Sequence, residues 1–204
     1  MNVDIALIEK LIVMKKLIEE IQNASVYELA GYSDMELQQI ERLYDICIND
    51  DFELMLKNIG RSCGCALSGG YTNTEVIIDL YCSKNVRQQV ISQYEQREKI
   101  LNVAFREMKE KNCSDLTQHR FFKWVGGKPY FLSLENQTQH FLILTEEGGG
   151  YPVYRYDENT EDICSINCDL KDYMRCVIDF SSSKSDVRKW IGEMLATWCD
   201  TTES

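Results

Sequence analysis

The sequence predicts an α+β fold: an antiparallel β-sheet meander with helices packed mainly on one face, preceded by an N-terminal helix. Three observations predict it. Apolar residues between Val3 and Ile21 recur at steps of three and four, which is helical spacing. From Tyr130 to Tyr156, short aromatic and aliphatic runs alternate with polar or glycine-rich breaks, which is how consecutive antiparallel strands read. After Asp169 the spacing returns to helical, with Leu170, Tyr173, Met174, Val177 and Ile178 on one face. The 204 residues suit one domain, with 1–30 as a helical extension and 31–204 as the core. That length buries a core without help from disulfides or metals.

In the first helix, Val3, Leu7, Leu11, Met14, Ile18 and Ile21 form the stripe, and Ile5, Ile8, Ile12, Val13 and Leu17 widen it. So wide a stripe predicts packing within the domain; the alternative use is a homo-oligomer built through this N-terminal helix. Ser33 and Glu36 have capping-box spacing, followed by Leu37, Ile40, Leu43 and Tyr44 on one helical face. Asn49 or Asp50 caps a third helix with Phe52, Met55, Leu56 and Ile59, ended by Gly60. A loop over residues 61–74 holds Cys63-Gly64-Cys65, and Val76–Tyr81 reads as either strand or helix. Ser83 opens a long helix to about Lys111, with Val86, Val90, Tyr94, Leu101, Phe105 and Met108 as its stripe and Arg97 in the seam.

Phe121–Val125 reads as the start of the sheet, because aromatic and β-branched residues favour a pleated surface. Tyr130–Leu134, His140–Thr145 and Pro152–Tyr156 then form the meander. Gly148-Gly149-Gly150 makes a hairpin turn and not a phosphate cradle: a strand follows it instead of a helix, and Glu146 and Glu147 would repel an anion. The third strand runs out into Asp157-Glu158-Asn159-Thr160-Glu161-Asp162, and a helix begins near Asp169. Ser183 and Asp186 open a last helix bearing Val187, Trp190, Ile191, Met194, Leu195 and Trp198.

Two blocks together resemble the SMI1/KNR4 (SUKH) superfamily. One is Val153-Tyr154-Arg155-Tyr156 with its Asp157-Glu158-Asn159 end and the later Tyr173-Met174; Leu170 stands where the family usually has an aromatic residue. The other is Glu36–Ile46, then Asp50-Asp51-Phe52 and Met55-Leu56 to Gly60, similar to the family's opening helix, linker and second helix. Ile48-Asn49 replaces the usual Leu-Pro, which makes this a divergent, bacterial immunity-protein-like member. The resemblance implies an interaction protein that is not an enzyme. Bacterial members of the superfamily are commonly immunity proteins that bind and occlude toxin domains, often nucleases, of polymorphic or contact-dependent systems. The alternative it implies is a regulatory scaffold without a toxin partner, as in fungal members; an uncharacterised enzyme is the third reading.

The formal net charge is −11, from 33 acidic and 22 basic residues. Nucleic acid is therefore a poor partner and is not expected, since phosphate binding needs Lys and Arg. An acidic chain suits a basic protein, whose encounter its field accelerates. The candidate partner-binding residues are Asp157, Glu158, Glu161 and Asp162, with Glu146 and Glu147 as a second acidic group. The competing reading is a solvated turn whose residues are explained by turn chemistry alone. The partner expected from the resemblance is a basic protein toxin domain.

The N-terminal residues lack the basic region of an export signal, and charges interrupt every apolar run, so a cytoplasmic protein away from membranes is expected. In that compartment most of the nine cysteines are expected as thiols. Cys63, Cys65, Cys164 and Cys168 do not have zinc-knuckle spacing, and residues 157–168 fail as a calcium loop because Asp162 and Cys168 stand where Gly and Glu are required. No metal or other cofactor is expected. His119 and His140 are the only histidines, and neither lies in a nucleophile motif, so no catalytic residue is assigned. Tyr154 and Tyr156 share one strand face, as core residues or as binding anchors.

Overall fold

The computed structural model describes residues 5–24, 28–63, 78–80, 82–135, 137–144 and 151–175. Helices α1 (Ile5–Ala24), α2 (Asp34–Tyr44) and α3 (Asp50–Ile59) come first, then strand β1 (Ile78–Leu80). Helix α4 (Val86–Glu110), a 3-10 turn at Leu116–Gln118 and helix α5 (Phe122–Gly126) lead into strands β2 (Pro129–Glu135), β3 (Thr138–Ile143), β4 (Pro152–Asp157) and β5 (Asp162–Asp169). Each strand pairs antiparallel with the next, in the order β1 to β5. Residues 170–175 are helical, and the Asp169 carboxylate accepts the Asp172 N–H at 2.9 Å as the expected cap. The α+β class with an N-terminal helix is thus observed. Val177, Ile178, the glycine turn and the last helix lie outside the described residues.

Period-two alternation gives the sheet two apolar faces. On the first, Tyr130, Leu132, Leu142, Val153 and Ile166 pack with Met14, Leu17, Ile18 and Ile21 of α1, with α2 and α3, and with Leu170, Tyr173 and Met174. On the second, Phe131, Phe141, Ile143, Tyr154, Tyr156 and Ile163 pack with Ile100, Val103 and Ala104 of α4 and with Phe121 and Val125. Tyr154 and Tyr156 are therefore core residues. Of the α1 stripe, Met14, Leu17, Ile18 and Ile21 are used inside the chain's own core, while Ile12 and Val13 are exposed. Helices cover the second face as well as the first.

Four local readings change. Phe121–Val125 does not begin the sheet; α5 stands there. Phe121 and Val125, one helical turn apart, both reach the second core, and the Arg97 guanidinium holds the Val125 carbonyl at 2.7 and 3.1 Å. Tertiary contact overrides aromatic strand preference here. A fifth strand, β5, occupies most of the stretch between the acidic turn and the helix. Its signal is weak because its few apolar residues divide between the faces by period two, Ile163 on one and Ile166 and Cys168 on the other, and a register shift interrupts its pairing with β4. Helix α4 is capped by Asn85, whose side chain accepts the Arg87 and Gln88 N–H groups, two residues after Ser83. Its buried stripe is also rotated. Tyr94 and Phe105 are 45% and 52% exposed, while Gln89 and Gln93 are buried with Val86, Val90, Ile100, Val103, Ala104 and Met108.

The buried glutamines explain that rotation. Strand β1 pairs with β2 only at residues 133–135, so further along β2 the edge lacks a strand neighbour among the described residues. Gln93 takes that place: its carboxamide donates to the Phe131 carbonyl at 3.0 Å and accepts the Phe131 N–H at 2.6 Å. Gln89 donates to the Tyr130 hydroxyl at 2.8 Å. Buried backbone groups must be paired; Gln93 does this for Phe131, and Gln89 pairs a buried hydroxyl, on a helix face otherwise made of apolar residues.

Candidate functional site

The acidic turn joins β4 to β5. Asp157 ends β4, and its carboxylate accepts the N–H groups of Asn159 (2.8 Å) and Thr160 (3.3 Å), a local turn that explains an Asp at this position. The Glu158 N–H donates to the Gln137 carbonyl at 2.9 Å, which ties this turn to the neighbouring β2–β3 hairpin. Glu161 has a positive φ of 53°, and Asp162 starts β5. The structure therefore gathers Asp157, Glu158, Glu161 and Asp162 at one end of the sheet. Glu146 and Glu147 lie outside the described residues.

Cations from the second-face helices meet these carboxylates. Lys99 pairs with Glu158 at 3.0 Å, which also accepts from the Gln139 amide. Arg106 pairs with Glu161. Arg120 bridges three acceptors: Asp162 at 2.7 Å, Glu107 at 2.7 Å and the Glu161 carbonyl at 2.8 Å, while its guanidinium lies 4.2 Å over the Phe121 ring. The hydrogen bond from Arg120 holds the Glu107 carboxyl well below its usual range, at about 2. The turn is thus a mixed-charge surface. Its most exposed carboxylate among the paired ones is Asp162, at 64%. Composition pointed to the acids but not to Lys99, Arg106 and Arg120, which lie tens of residues away in sequence.

A second constellation lies inside the first core. Ser133 and His140 face each other across β2 and β3, with Arg155 of β4 next in the same row. The Ser133 Oγ and the Tyr173 hydroxyl are hydrogen-bonded, and both sit against His140 Nδ1, at 3.3 and 3.1 Å. Burial, aided by Arg155, pushes His140 down to about 3, so the imidazole is neutral at neutral pH. A Ser–His contact is the start of a nucleophile and base. Here the Tyr173 hydroxyl fills the space beside Ser133 Oγ, and all three side chains are buried, so the contact locks the 170–175 helix onto the sheet. The short β2–β3 turn makes the Ser133–His140 pairing readable from sequence; Tyr173 was not readable as its third member.

A smaller cleft of about 250 Å³ lies between α2 and α3, lined by Asp34, Leu37, Gln38, Glu41, Ile48, Glu53 and Lys57. Lys57 spans it, bonding Asp34 at 2.8 Å and Glu53 at 2.7 Å, while the Glu41 carboxylate accepts the Ile48 N–H at 2.7 Å. Among the described residues, no group of three or more His, Cys, Asp or Glu is placed to hold a metal ion, and no helix is long and apolar enough to cross a membrane.

No family model, no curated protein and no solved structure matches the chain.

Proposed function

We propose that this chain is a protein-binding domain of the SMI1/KNR4 type that neutralises a basic toxin domain by one-to-one occlusion, with the β4–β5 end of the sheet as its contact surface. The observation that carries the proposal is the order of parts around Asp157. A V-Y-R-Y-D strand, an acidic turn and a helix holding Tyr173 and Met174 follow in the order of the superfamily resemblance, with strand β5, which the resemblance did not include, between the turn and the helix. The chain's charge of −11 favours a basic partner.

The ion pairs of the turn define how such a partner would engage. Its Lys and Arg side chains compete with Lys99, Arg106 and Arg120 for carboxylates already paired, so net gain per contact is small and the contribution falls mainly on encounter. Asp162 is the group to alter, because its carboxylate is exposed and Asp157 is needed to form the turn.

The test is co-expression with the product of the adjacent reading frame. Expected is rescue of growth from that product's toxicity and a one-to-one complex by calorimetry. Asp162→Lys, folded by thermal melt, is expected to slow association at low salt, with the difference shrinking at high salt. A complex with an unchanged on-rate would move the interface elsewhere on the domain. Absence of any complex with neighbouring gene products would reject the immunity reading in favour of a regulatory scaffold.

A further inference from the structure

We infer that Cys63 and Cys82 form a thiol pair built for reversible disulfide formation by exchange with a small-molecule disulfide, a modification site between the end of α3 and the start of α4.

The backbone brings the two together. Ala30 and Ser62 make an isolated antiparallel bridge, with Ala30 N–H to Ser62 O at 3.1 Å and Ser62 N–H to Ala30 O at 3.0 Å, which fixes the chain immediately before Cys63. That bridge is backed by close contact: a Cβ on Gly31 would stand 1.8 Å from the Lys57 carbonyl oxygen, so this segment lies directly on α3. On the other side, Ser83 N–H donates to the Gly60 carbonyl at 3.3 Å, and the Tyr32 hydroxyl donates to the Ser83 carbonyl at 2.6 Å. Cys82 is thereby anchored over the end of α3, where its thiol donates to the Ile59 carbonyl at 3.3 Å. Its sulfur also lies within side-chain hydrogen-bonding reach of Cys63. Cys47, Cys63, Cys82, Cys113, Cys164 and Cys168 are all thiols.

The two sulfurs are not equivalent. The Cys82 proton is engaged by the Ile59 carbonyl at 3.3 Å, and the hydrogen bond with Cys63 and burial both push this thiol up, so the first attack is assigned to Cys63. With glutathione disulfide as oxidant, the Cys63 thiolate attacks one glutathione sulfur, and the other leaves as a thiolate that takes up a proton. That mixed disulfide removes the Cys63 interaction that held the proton on Cys82. The Cys82 thiolate then attacks the Cys63 sulfur and expels the second glutathione. Two protein thiols are oxidised and one glutathione disulfide is reduced to two thiols. The product closes a ring from residue 63 to residue 82 and ties the end of α3 to the approach to α4.

The experiment is equilibration of the full chain in glutathione buffers from reducing to oxidising, acid quench, alkylation and peptide mapping. Expected is loss of about 2 Da with a Cys63–Cys82 crosslinked peptide as the first product, reversed by reduced glutathione. Cys82→Ser is expected to trap one glutathione on Cys63, and Cys113→Ser to crosslink as the parent does. In denaturant the preference for this pair should disappear. A first crosslink joining Cys63 to Cys65, or a parent chain that stays fully reduced and folded in the most oxidising buffer, overturns the inference. The parent result stands without the variants, should one of them fail to fold.

Discussion

The two faces of the sheet are held by different chemistry. Against the first face, polar contacts are buried: Ser133, His140 and Tyr173 share hydrogen bonds within an apolar layer, and Tyr44 donates to the Pro129 carbonyl at 2.6 Å. Against the second face the apolar layer is aromatic, with Phe141 stacked on Tyr154 at 5.7 Å, and outside the buried Gln93–Phe131 bonds its polar contacts include an exposed rim of ion pairs from Lys99, Arg106 and Arg120. Buried hydrogen bonds are costly to break and insensitive to salt, whereas exposed ion pairs contribute little and are screened. The first face is therefore built for a fixed structure, and the second carries a surface whose charges can be exchanged.

The largest expected effects test the layers themselves. Phe141→Ala in the second layer should cost about 3–5 kcal/mol and Met174→Ala in the first about 2–5 kcal/mol, read by urea denaturation. A Met174→Ala loss under about 0.5 kcal/mol, the range of surface substitutions, would mean that the 170–175 helix is not seated on the sheet.

Acid should next distinguish the faces. The unfolded chain protonates His140 near about 6.5, while the folded chain keeps it neutral down to about 3. Its contribution is complete above the unfolded value and is lost as pH falls from there toward about 3, on the order of a few kcal/mol. Glu107 contributes in a lower window, complete above the unfolded carboxylate value of about 4.3 and lost as pH falls toward about 2. His140→Gln should flatten the first part of the acid limb and leave the second. An unchanged limb between pH 6.5 and 4 (bounds taken from the usual His range, about 6.5, and Glu range, about 4.3) would contradict a neutral buried His140.

Smaller effects separate buried from exposed polar contacts. Tyr173→Phe removes one hydroxyl from a buried network and should cost about 1–3 kcal/mol, equal at low and high salt. Combined with Ser133→Ala it should be non-additive, because both act on one network. Arg120→Ala should cost about 1–3 kcal/mol, with part of the loss shrinking as salt rises, because its Asp162 partner is solvent-exposed while Glu107 is mostly buried. Equal salt responses for Tyr173→Phe and Arg120→Ala would erase the distinction between the faces.

Much of this was present in the sequence because it is local. The Ser33–Glu36 capping box and the Asp169 cap are observed as read, since a cap depends on residues three apart, and of Asn49 and Asp50 it is Asn49 that stands at the N-cap position of α3, without a side-chain hydrogen bond. Strands β2 to β4 were legible because their apolar runs are continuous and their connections short. The acidic turn was legible as a turn, because Asp157 makes its own hydrogen bonds with Asn159 and Thr160. Three things needed the third dimension. Phe121–Val125 became a helix because Arg97 and the second layer hold it there, against its strand preference. The buried face of α4 includes Gln89 and Gln93, and no hydrophobic pattern marks glutamines as core; they are buried because β2 offers Gln93 the Phe131 backbone and Gln89 the Tyr130 hydroxyl. The turn's carboxylates are paired because α4 and Arg120 lie across it, and Tyr173 joins Ser133 and His140 because its helix docks on that row. Local sequence determines caps, turns and strand runs through hydrogen bonds a few residues apart. Which polar groups are buried or neutralised depends on what packs against them, and only tertiary structure decides that.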